Sequence, residues 1–404
     1  MGSNWIETVL NGVYVVAISH FLGAELYGAW AYAAAAYGFV LGLTWFGMDM
    51  LLPMRLGADR RDSAGFVGVT LALRLALLGI AAVGLAVYAL VYEPPGTTRL
   101  ALLLVIPALY GRGLALWARV VFIGYERAGN YMKMAAGVRV TEVVCGIALL
   151  AAGWGLIAVL VLHSLFWLVE AAIGLGMARS WLTRYRPRLD IGETIDLVRK
   201  GAVIGLAASL TGWLMAGPVL MLRHVDGDLA RLGQFSIALQ LAMIMVASVQ
   251  PFFAAALPVL SRSVTRGDPR LVFYGGLTVL AALLGCGALA GLGFLVGPPL
   301  VLWLFGPDFA LAGDLVGPCL LLGGLILAPT GYGQLLVLGG RRWPGAIASG
   351  IGGLVLLVTL PPAVNSWGVY GAVVAAGGAW LARAIILIAS AAQQQTAVGS
   401  RQAE

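Results

Sequence analysis

The chain has 404 residues, of which 61% are hydrophobic and only 11% are charged, and its formal net charge is +7. A soluble domain carries roughly 25% charged residues, so this composition excludes an ordinary soluble protein and favours one that crosses a membrane many times. The positive charge is expected to hold loops on the cytoplasmic side of that membrane, and no nucleic-acid partner is needed to explain it.

Twelve apolar runs are long enough to cross a bilayer. Each is expected to be an α-helix, because backbone polar groups in lipid must be satisfied within the segment. The predicted spans are residues 5–21, 28–48, 64–91, 100–122, 134–152, 155–178, 201–222, 232–260, 271–296, 312–338, 345–362 and 368–390. The first run lacks the basic segment and cleavage site of a signal peptide, so it is expected to be a retained span. The sequence therefore predicts an all-α polytopic membrane protein with about 12 transmembrane helices.

One stretch of the sequence returns 205 residues later. Gly28 and Gly233 each open an apolar run, and a proline follows 25 residues later in both copies, at Pro53 and Pro258. Both copies end in an arginine-bearing loop. A repeat at half the chain length predicts two six-helix lobes related by a pseudo-two-fold axis.

The repeat sets the predicted domain organisation. The N-terminal lobe covers residues 1–178, a basic cytoplasmic linker covers 179–200, the C-terminal lobe covers 201–390, and a cytoplasmic tail covers 391–404. The linker is expected to lie on the inner leaflet, although an ordinary basic loop is the alternative. The largest outer loop, residues 297–311, is expected to be a half-buried turn.

Lysine and arginine are distributed unevenly between the two predicted sides. With the N-terminus inside, the inner loops and tail hold 17 of the 25 basic residues, and the outer loops hold only Arg99, Arg223 and Arg231. The other five lie within spans. Because basic residues concentrate in cytoplasmic loops, both termini are predicted to be cytoplasmic.

Ionisable residues inside the spans are functional candidates, because charge in lipid is unfavourable by several kcal/mol. Arg74 and Arg112 each lie ten residues from a cytoplasmic span end, which places both about 15 Å deep, near the midplane. One interpretation is a cationic patch that binds an anionic headgroup in a water-filled cavity. The alternative is that Arg74 or Arg112 pairs with Glu170 in another helix.

Further candidates lie in the first and last spans. Glu7, Asn11 and Tyr14 form a polar stripe at helical spacing, and that face is expected to look at a lumen or at another helix. Together with Arg74, Arg112 and Arg383 of the last span, they are the predicted substrate-binding residues.

Three residues are candidates for binding or relaying a coupling ion, namely Glu142, His163 and Glu170. His163 is suited either to proton relay or to hydrogen-bonded packing. Arg139 and Glu142 are three residues apart on one helix face, so they are expected to satisfy each other.

Motifs for catalysis and metal binding are absent from the sequence. It has no GxxxxGK[ST] and no HExxH, and Cys145, Cys286 and Cys319 fall inside apolar runs as packing residues. The sequence therefore predicts no catalytic residue, no metal and no cofactor, and the protein is not expected to be an enzyme.

Several segments resemble a known family of transporters. They are LGAELYGAWAYAAAAYGFVLGLTWFGMD, LPMRLGADRRD with Arg74 in the next span, GYERAGNYMK, LGQFSIALQLAMIMVASVQPFFAAALPVLSR, LFGPDFALAG and LGGRRWPGA. Together they resemble the polysaccharide transporters of the Wzx-like oligosaccharide flippase group. That group belongs to the superfamily of the multidrug MATE exporters and the lipid II flippase. The chain departs from the family at its N-terminus, where a basic stretch usually precedes the first span.

The resemblance implies a function in polysaccharide biosynthesis and export, including that of lipopolysaccharide. Such proteins flip undecaprenyl-pyrophosphate-linked oligosaccharides across the bacterial inner membrane by alternating access. The implied partners are the lipid-linked oligosaccharide, the phospholipid bilayer, and a polysaccharide polymerase or other assembly proteins. Two alternatives stay open, namely a MATE-like or major-facilitator-like exporter of drugs or small solutes, and a membrane enzyme of polysaccharide assembly.

Overall fold

The computed structural model describes residues 2–58, 63–265, 271–338, 340–341 and 343–403, and side chains within 9–58, 63–249, 273, 275–338, 340–341 and 343–393. Throughout these residues the regular secondary structure is helical. The helices are α1 (Gly2–Leu43), α2 (Met48–Ala58), α3 (Ser63–Val91), α4 (Thr97–Leu104), α5 (Ile106–Gly124), α6 (Ala128–Ala151), α7 (Gly155–Trp181), α8 (Ile191–Val225), α9 (Leu229–Thr265), α10 (Leu271–Phe305), a 3₁₀ turn (Pro307–Phe309), α11 (Ala310–Leu327), α12 (Thr330–Leu338), α13 (Trp343–Trp367) and α14 (Val369–Ala403).

The number of membrane-spanning helices agrees with the prediction. In the described residues, eleven helical segments are long and apolar enough to cross a membrane, one of them running from Val9 to Leu43. That segment contains a kink at Gly23, whose φ of 72° and ψ of 175° are not helical and suit only glycine. The kink divides α1 into two helices that match the first two predicted spans, so the prediction of an all-α protein with about 12 spans is confirmed.

Two predicted spans are each built from two consecutive helices. The fourth span breaks at Val105, between α4 and α5, and Pro107 lies in the first turn of α5. The tenth span breaks between α11 and α12, where Pro329 follows Ala328. A proline lacks the backbone N–H that would continue the preceding helix, so both breaks follow from the sequence.

The structure corrects three predicted boundaries. The second span ends at Leu43 rather than at residue 48, because a turn at 44–47 precedes α2. Only residues 182–190 of the predicted linker are non-helical, since α8 already begins at Ile191. The predicted turn at 297–311 is wrong, because α10 continues to Phe305 and the chain breaks only at Gly306.

The chain divides into two compact units, residues 1–209 and 210–404. In the first unit α5 packs against α3 and α7, and α6 packs against α1 and α7. Its main core, near the end of α5, includes Met48, Leu52, Trp117 and Phe122, all nearly inaccessible to solvent. In the second unit α11 packs against α9 and α10, and α13 packs against α14.

Some sequence-based predictions fall outside the described residues. Pro53 lies inside α2, whereas the side chain of its predicted counterpart Pro258 is not described. The other undescribed groups are the side chains of Glu7, Arg262 and Arg401 and the whole of residues Arg60, Arg61, Arg266, Arg270 and Arg342. The superposition of two repeated lobes therefore stays a prediction.

Candidate functional site

A chain of polar side chains runs through the interior of the first unit. Arg112 of α5 donates from Nη1 to the Tyr37 hydroxyl of α1 at 2.9 Å. The Tyr37 hydroxyl lies 3.0 Å from Nε2 of His163 in α7. The other ring nitrogen of His163, Nδ1, lies 2.7 Å from Oε1 of Glu142 in α6. Three helices are thus connected to α5 through hydrogen bonds between side chains.

The same chain continues through Arg139 of α6. Arg139 bonds Glu142 through Nη1 and Glu170 of α7 through Nη2 at 2.8 Å. Glu170 also accepts a hydrogen bond from the Tyr131 hydroxyl at 3.0 Å. The predicted pairing of Arg139 with Glu142 is confirmed. The predicted alternative, in which Arg74 or Arg112 pairs with Glu170, is wrong because Arg139 occupies that carboxylate.

Close packing of α5 against α7 brings Arg112 into this network. A Cβ atom on Gly111 would lie 2.5–2.8 Å from backbone atoms of Trp167 and Leu168, so only glycine allows the approach. The Arg112 guanidinium lies 5.1 Å from the centre of the Trp167 ring, and the Arg139 guanidinium lies 3.4 Å from it. Trp167 therefore contacts both cations through its aromatic face.

The hydrogen bonds of His163 fit its neutral tautomer. The Trp167 indole N–H donates to Nε2 of His163 at 3.1 Å. An indole nitrogen can only donate, so Nε2 is the accepting atom in this arrangement. His163 is then the neutral tautomer, with its proton on Nδ1 and donated to the Glu142 carboxylate. We refer to Tyr37, Arg112, Tyr131, Arg139, Glu142, His163, Trp167 and Glu170 as the N-unit network.

The charges of the N-unit network balance when His163 is neutral. Arg139 and its two carboxylates, Glu142 and Glu170, sum to one negative charge, and Arg112 brings the total to zero. Arg112 itself bonds only the Tyr37 hydroxyl, and its Nε has no hydrogen-bond partner among the described residues. A proton added to His163 would leave the network with one positive charge.

Arg74 of α3 does not join the network. It is fully buried and donates from Nη1 to the backbone and hydroxyl oxygens of Thr44, at 2.7 and 2.6 Å, and from Nε to the Gly113 carbonyl at 3.2 Å. Its guanidinium lies 4.2 Å from the centre of the Trp45 ring. Its Nη2 has no hydrogen-bond partner in the described part of the chain. Arg74 thus has neutral hydrogen-bond partners, is influenced by the charge of Asp49, and has no accessible surface in this conformation.

Of the predicted polar stripe on α1 (Glu7, Asn11 and Tyr14), the two described side chains do not share one environment. Tyr14 is buried, and its ring packs so tightly on Gly146 of α6 that a Cβ there would lie 2.5 Å from it. The Tyr14 hydroxyl has no hydrogen-bond partner in the residues described. Asn11 is exposed, and the side chain of Glu7 lies outside the described residues. Tyr14 is therefore the member of the stripe that the described structure places against α6.

Arg383 lies in the second unit, on α14. Its Nε donates to the hydroxyl of Ser349 in α13 at 3.1 Å, and its guanidinium lies 5.1 Å from the centre of the Trp380 ring. Ser349 also exchanges a hydrogen bond with Thr211 of α8 at 2.9 Å. Like Arg74 and Arg112, Arg383 has no carboxylate partner among the described residues.

Sequence-based reasoning does not single out three members of the N-unit network. Tyr37 lies in an alanine-rich stretch, and its position one turn after Ala33 carries no signal of its own. Trp167 lies four residues after His163, a spacing that places two residues on one helix face and was available from the sequence. Tyr131 lies near the predicted start of a span and reads as an interfacial aromatic residue. No group of three metal-ligating side chains occurs in the described residues.

The fold resembles those of known transporters. A multidrug resistance MATE family transporter of the MOP superfamily, in an inward-facing conformation, matches with a TM-score of 0.71 and 14% identity, over 97% of this chain and 95% of that one. The lipid II flippase MurJ, in an inward closed conformation, matches with a TM-score of 0.74 and 12% identity, over 96% and 86%. A MOP superfamily transporter from Pyrococcus furiosus matches with a TM-score of 0.66 and 13% identity, over 98% and 94%.

These likenesses define a multi-pass membrane protein with the fold of the MOP superfamily. By sequence, no curated protein matches the chain. The model of the family described as polysaccharide biosynthesis protein matches residues 1–264. The chain therefore belongs to that family, as its sequence resemblance predicts.

Proposed function

We propose that the protein flips an undecaprenyl-pyrophosphate-linked oligosaccharide across the bacterial inner membrane by alternating access, with both termini in the cytoplasm. Membership of the polysaccharide biosynthesis family supports the glycan. The likeness to a lipid II flippase supports a lipid-linked substrate and a transport function rather than an enzymatic one. A polysaccharide polymerase or another assembly protein would then receive the flipped product.

One observation carries the proposal of an anionic substrate. Arg74, Arg112 and Arg383 all lie inside membrane-length helices, and none forms an ion pair with a carboxylate among the described residues. Asp49 acts on Arg74 through its charge, and the N-unit network offsets the charge of Arg112, but each of these two guanidinium groups has a nitrogen without a hydrogen-bond partner in the described structure. The pyrophosphate group of a lipid-linked sugar would accept two parallel hydrogen bonds from such a guanidinium.

Of the three arginines, Arg112 is the best placed to bind the substrate in this conformation. It is half-buried, its Nε is unpartnered in the described structure, and a neutral hydroxyl is its only hydrogen-bond partner. Arg74 would meet substrate only after the turn at Thr44 moves away from it, since that turn accepts two of its hydrogen bonds. Alternating access supplies movements of this kind between conformations.

The N-unit network also offers a way to couple transport to protons. Protonation of His163 at Nε2 would displace the Trp167 N–H, make the Tyr37 hydroxyl an acceptor, and give the network one net positive charge. An anion bound at Arg112 would then be held more tightly, and release of the proton would weaken its binding. Glu142 would hold the cationic form of His163, and Glu142 and Glu170 together would fix Arg139 beside it.

Depletion of the protein in its host tests the proposed function. Lipid-linked oligosaccharide is expected to accumulate with its glycan on the cytoplasmic side, as judged by protection from an impermeant glycan-oxidising reagent in intact spheroplasts. The alternative of a drug exporter predicts greater sensitivity to cationic drugs with normal glycan export. That outcome would contradict the proposal.

A further inference from the structure

A basic pocket lies where α7 ends and the non-helical linker begins. The cavity has a volume of about 510 Å³ and is lined by Gly176, Arg179, Ser180, Arg184, Tyr185 and Arg186. Sites for small molecules usually enclose about 300–1,000 Å³, so the space is sufficient for a headgroup. All six residues belong to the first unit and are separate from the N-unit network.

The linker that forms this pocket is fixed to the helices beneath it. The Tyr185 ring is buried edge-on against Trp117 at 5.5 Å between ring centres, and its hydroxyl donates to the Leu175 carbonyl at 2.9 Å. Burial raises the pKa of Tyr185 to about 12, so the phenol stays protonated. The Arg188 N–H donates to the carbonyl of Gly68 in α3 at 3.2 Å. The three pocket arginines therefore extend from anchored backbone.

The pocket arginines differ from three nearby basic residues in having no ion pair. Arg179, Arg184 and Arg186 make none in the described structure. By contrast, Arg55 pairs with Glu193 at 2.8 Å, Arg188 with Asp190 at 3.4 Å, and Lys200 with Asp196 at 2.6 Å. Three positive charges thus line one cavity without an acidic partner, which favours a multiply bonded anion such as a phosphate group.

Exposed apolar side chains lie close in sequence to the pocket residues. Trp181 is 52% exposed, Leu189 84%, Ile191 78% and Ile195 61%. A segment that combines exposed apolar residues with arginines is stable at a membrane surface, where the apolar groups enter the acyl region and the arginines meet headgroups. The anion in the pocket is therefore expected to belong to a lipid rather than to the aqueous phase.

From these features we infer that Arg179, Arg184 and Arg186 form a binding site for the phosphate headgroup of an anionic phospholipid of the inner leaflet. This inference does not depend on which substrate the protein transports. Each arginine near an anionic surface strengthens binding by roughly fivefold. Loss of all three is expected to weaken binding of phosphatidylglycerol by roughly a hundredfold.

Lipid retention by the purified full-length chain tests the site. Wild type is compared with the triple variant Arg179→Gln, Arg184→Gln, Arg186→Gln and with a control that removes the same charge, Arg55→Gln, Arg188→Gln, Lys200→Gln. Native mass spectrometry in detergent would measure bound phosphatidylglycerol, with phosphatidylcholine and inorganic pyrophosphate as competing ligands. Wild type and control are expected to retain phosphatidylglycerol, and the pocket variant is expected to lose it.

Two results would overturn the inference. One is equal retention of phosphatidylglycerol by the pocket variant and the control. The other is occupancy of the wild-type protein by pyrophosphate in preference to phosphatidylglycerol, which would indicate a site for a free anion. If the triple variant does not elute as a single species, Arg184→Gln alone is expected to weaken retention roughly fivefold, and an unchanged affinity would contradict the site.

Discussion

The indole N–H of Trp167 donates to Nε2 of His163 at 3.1 Å, from one helical turn further along α7. In this arrangement Nε2 of His163 accepts, and the proton on Nδ1 is directed towards Glu142. The same indole ring packs against the Arg139 guanidinium at 3.4 Å. A proton arriving at His163 would therefore disturb the position of a ring that contacts two arginines.

Replacing Trp167 with Phe is expected to change how transport depends on pH. The variant keeps an aromatic face but loses one of the two groups within hydrogen-bond distance of Nε2, and the Tyr37 hydroxyl that remains can rotate to accept from a protonated Nε2. The transition in transport rate between pH 5 and 8 should then move to higher pH, and His163→Gln should abolish it. The measurement is flipping rate against pH in proteoliposomes. An unchanged pH profile in His163→Gln would contradict a role for this histidine in coupling.

Arg139 is expected to be a structural cation rather than a substrate ligand. Arg139→Gln leaves Glu142 and Glu170 buried without their partner, and breaking a buried pair costs about 3–5 kcal/mol. The variant should be recovered in lower amount and should unfold at a lower temperature in detergent. Adding Glu170→Gln removes one uncompensated carboxylate and should restore part of that loss. No recovery in the double variant would mean that the two side chains do not act as a pair.

Arg112→Gln is expected to behave in the opposite way. The arginine has no carboxylate to leave unpaired, so the amount of protein in the membrane should stay normal while export of lipid-linked oligosaccharide falls. Arg112→Lys should restore export in part, because it keeps the charge without the bidentate geometry. Arg74→Gln removes three buried hydrogen bonds and should lower the protein level as well. Full export with Arg112→Gln would exclude substrate binding by this residue.

The predicted topology can be checked with reporter fusions. Alkaline phosphatase is active only outside the cytoplasm, so fusions after Thr97 and Asp308 should be active and a fusion after Arg186 should be inactive. The expectation rests on the 17-to-3 distribution of basic residues between the two sides. An active fusion after Arg186 would reverse the topology and would also place the basic pocket on the outer leaflet.

The transmembrane helices were predictable because each corresponds to an apolar run long enough to cross a membrane. The boundaries that differ are those where a helix extends beyond the apolar core, as α8 does from Ile191. Apolar composition predicts which residues lie in the lipid interior. The first and last residues of a helix are instead determined by backbone hydrogen bonding, which can continue into the aqueous phase. The kink at Gly23 was likewise predicted as a gap between two spans, although the chain there turns at one residue.

The sequence predicted several of the candidate functional residues one by one, but not most of the contacts between them. Burial of charge singled out Arg112, Glu142, His163 and Glu170, but spacing along one helix resolved only the pairing of Arg139 with Glu142. The bonds from Arg112 to Tyr37 and from Arg139 to Glu170 join different helices. They depend on how closely neighbouring helices pack, as α5 and α7 do at Gly111, and a single sequence does not report that distance.

Reconstituted flipping is the most direct test of the proposed function. Purified protein in proteoliposomes would be given a polyprenyl-pyrophosphate-linked oligosaccharide, and its exposure to an impermeant oxidant would be followed over time. Wild-type protein is expected to expose the glycan on the opposite leaflet, and Arg112→Gln to do so at least about tenfold more slowly. If wild-type vesicles expose the glycan no faster than protein-free vesicles do, the proposed function is wrong.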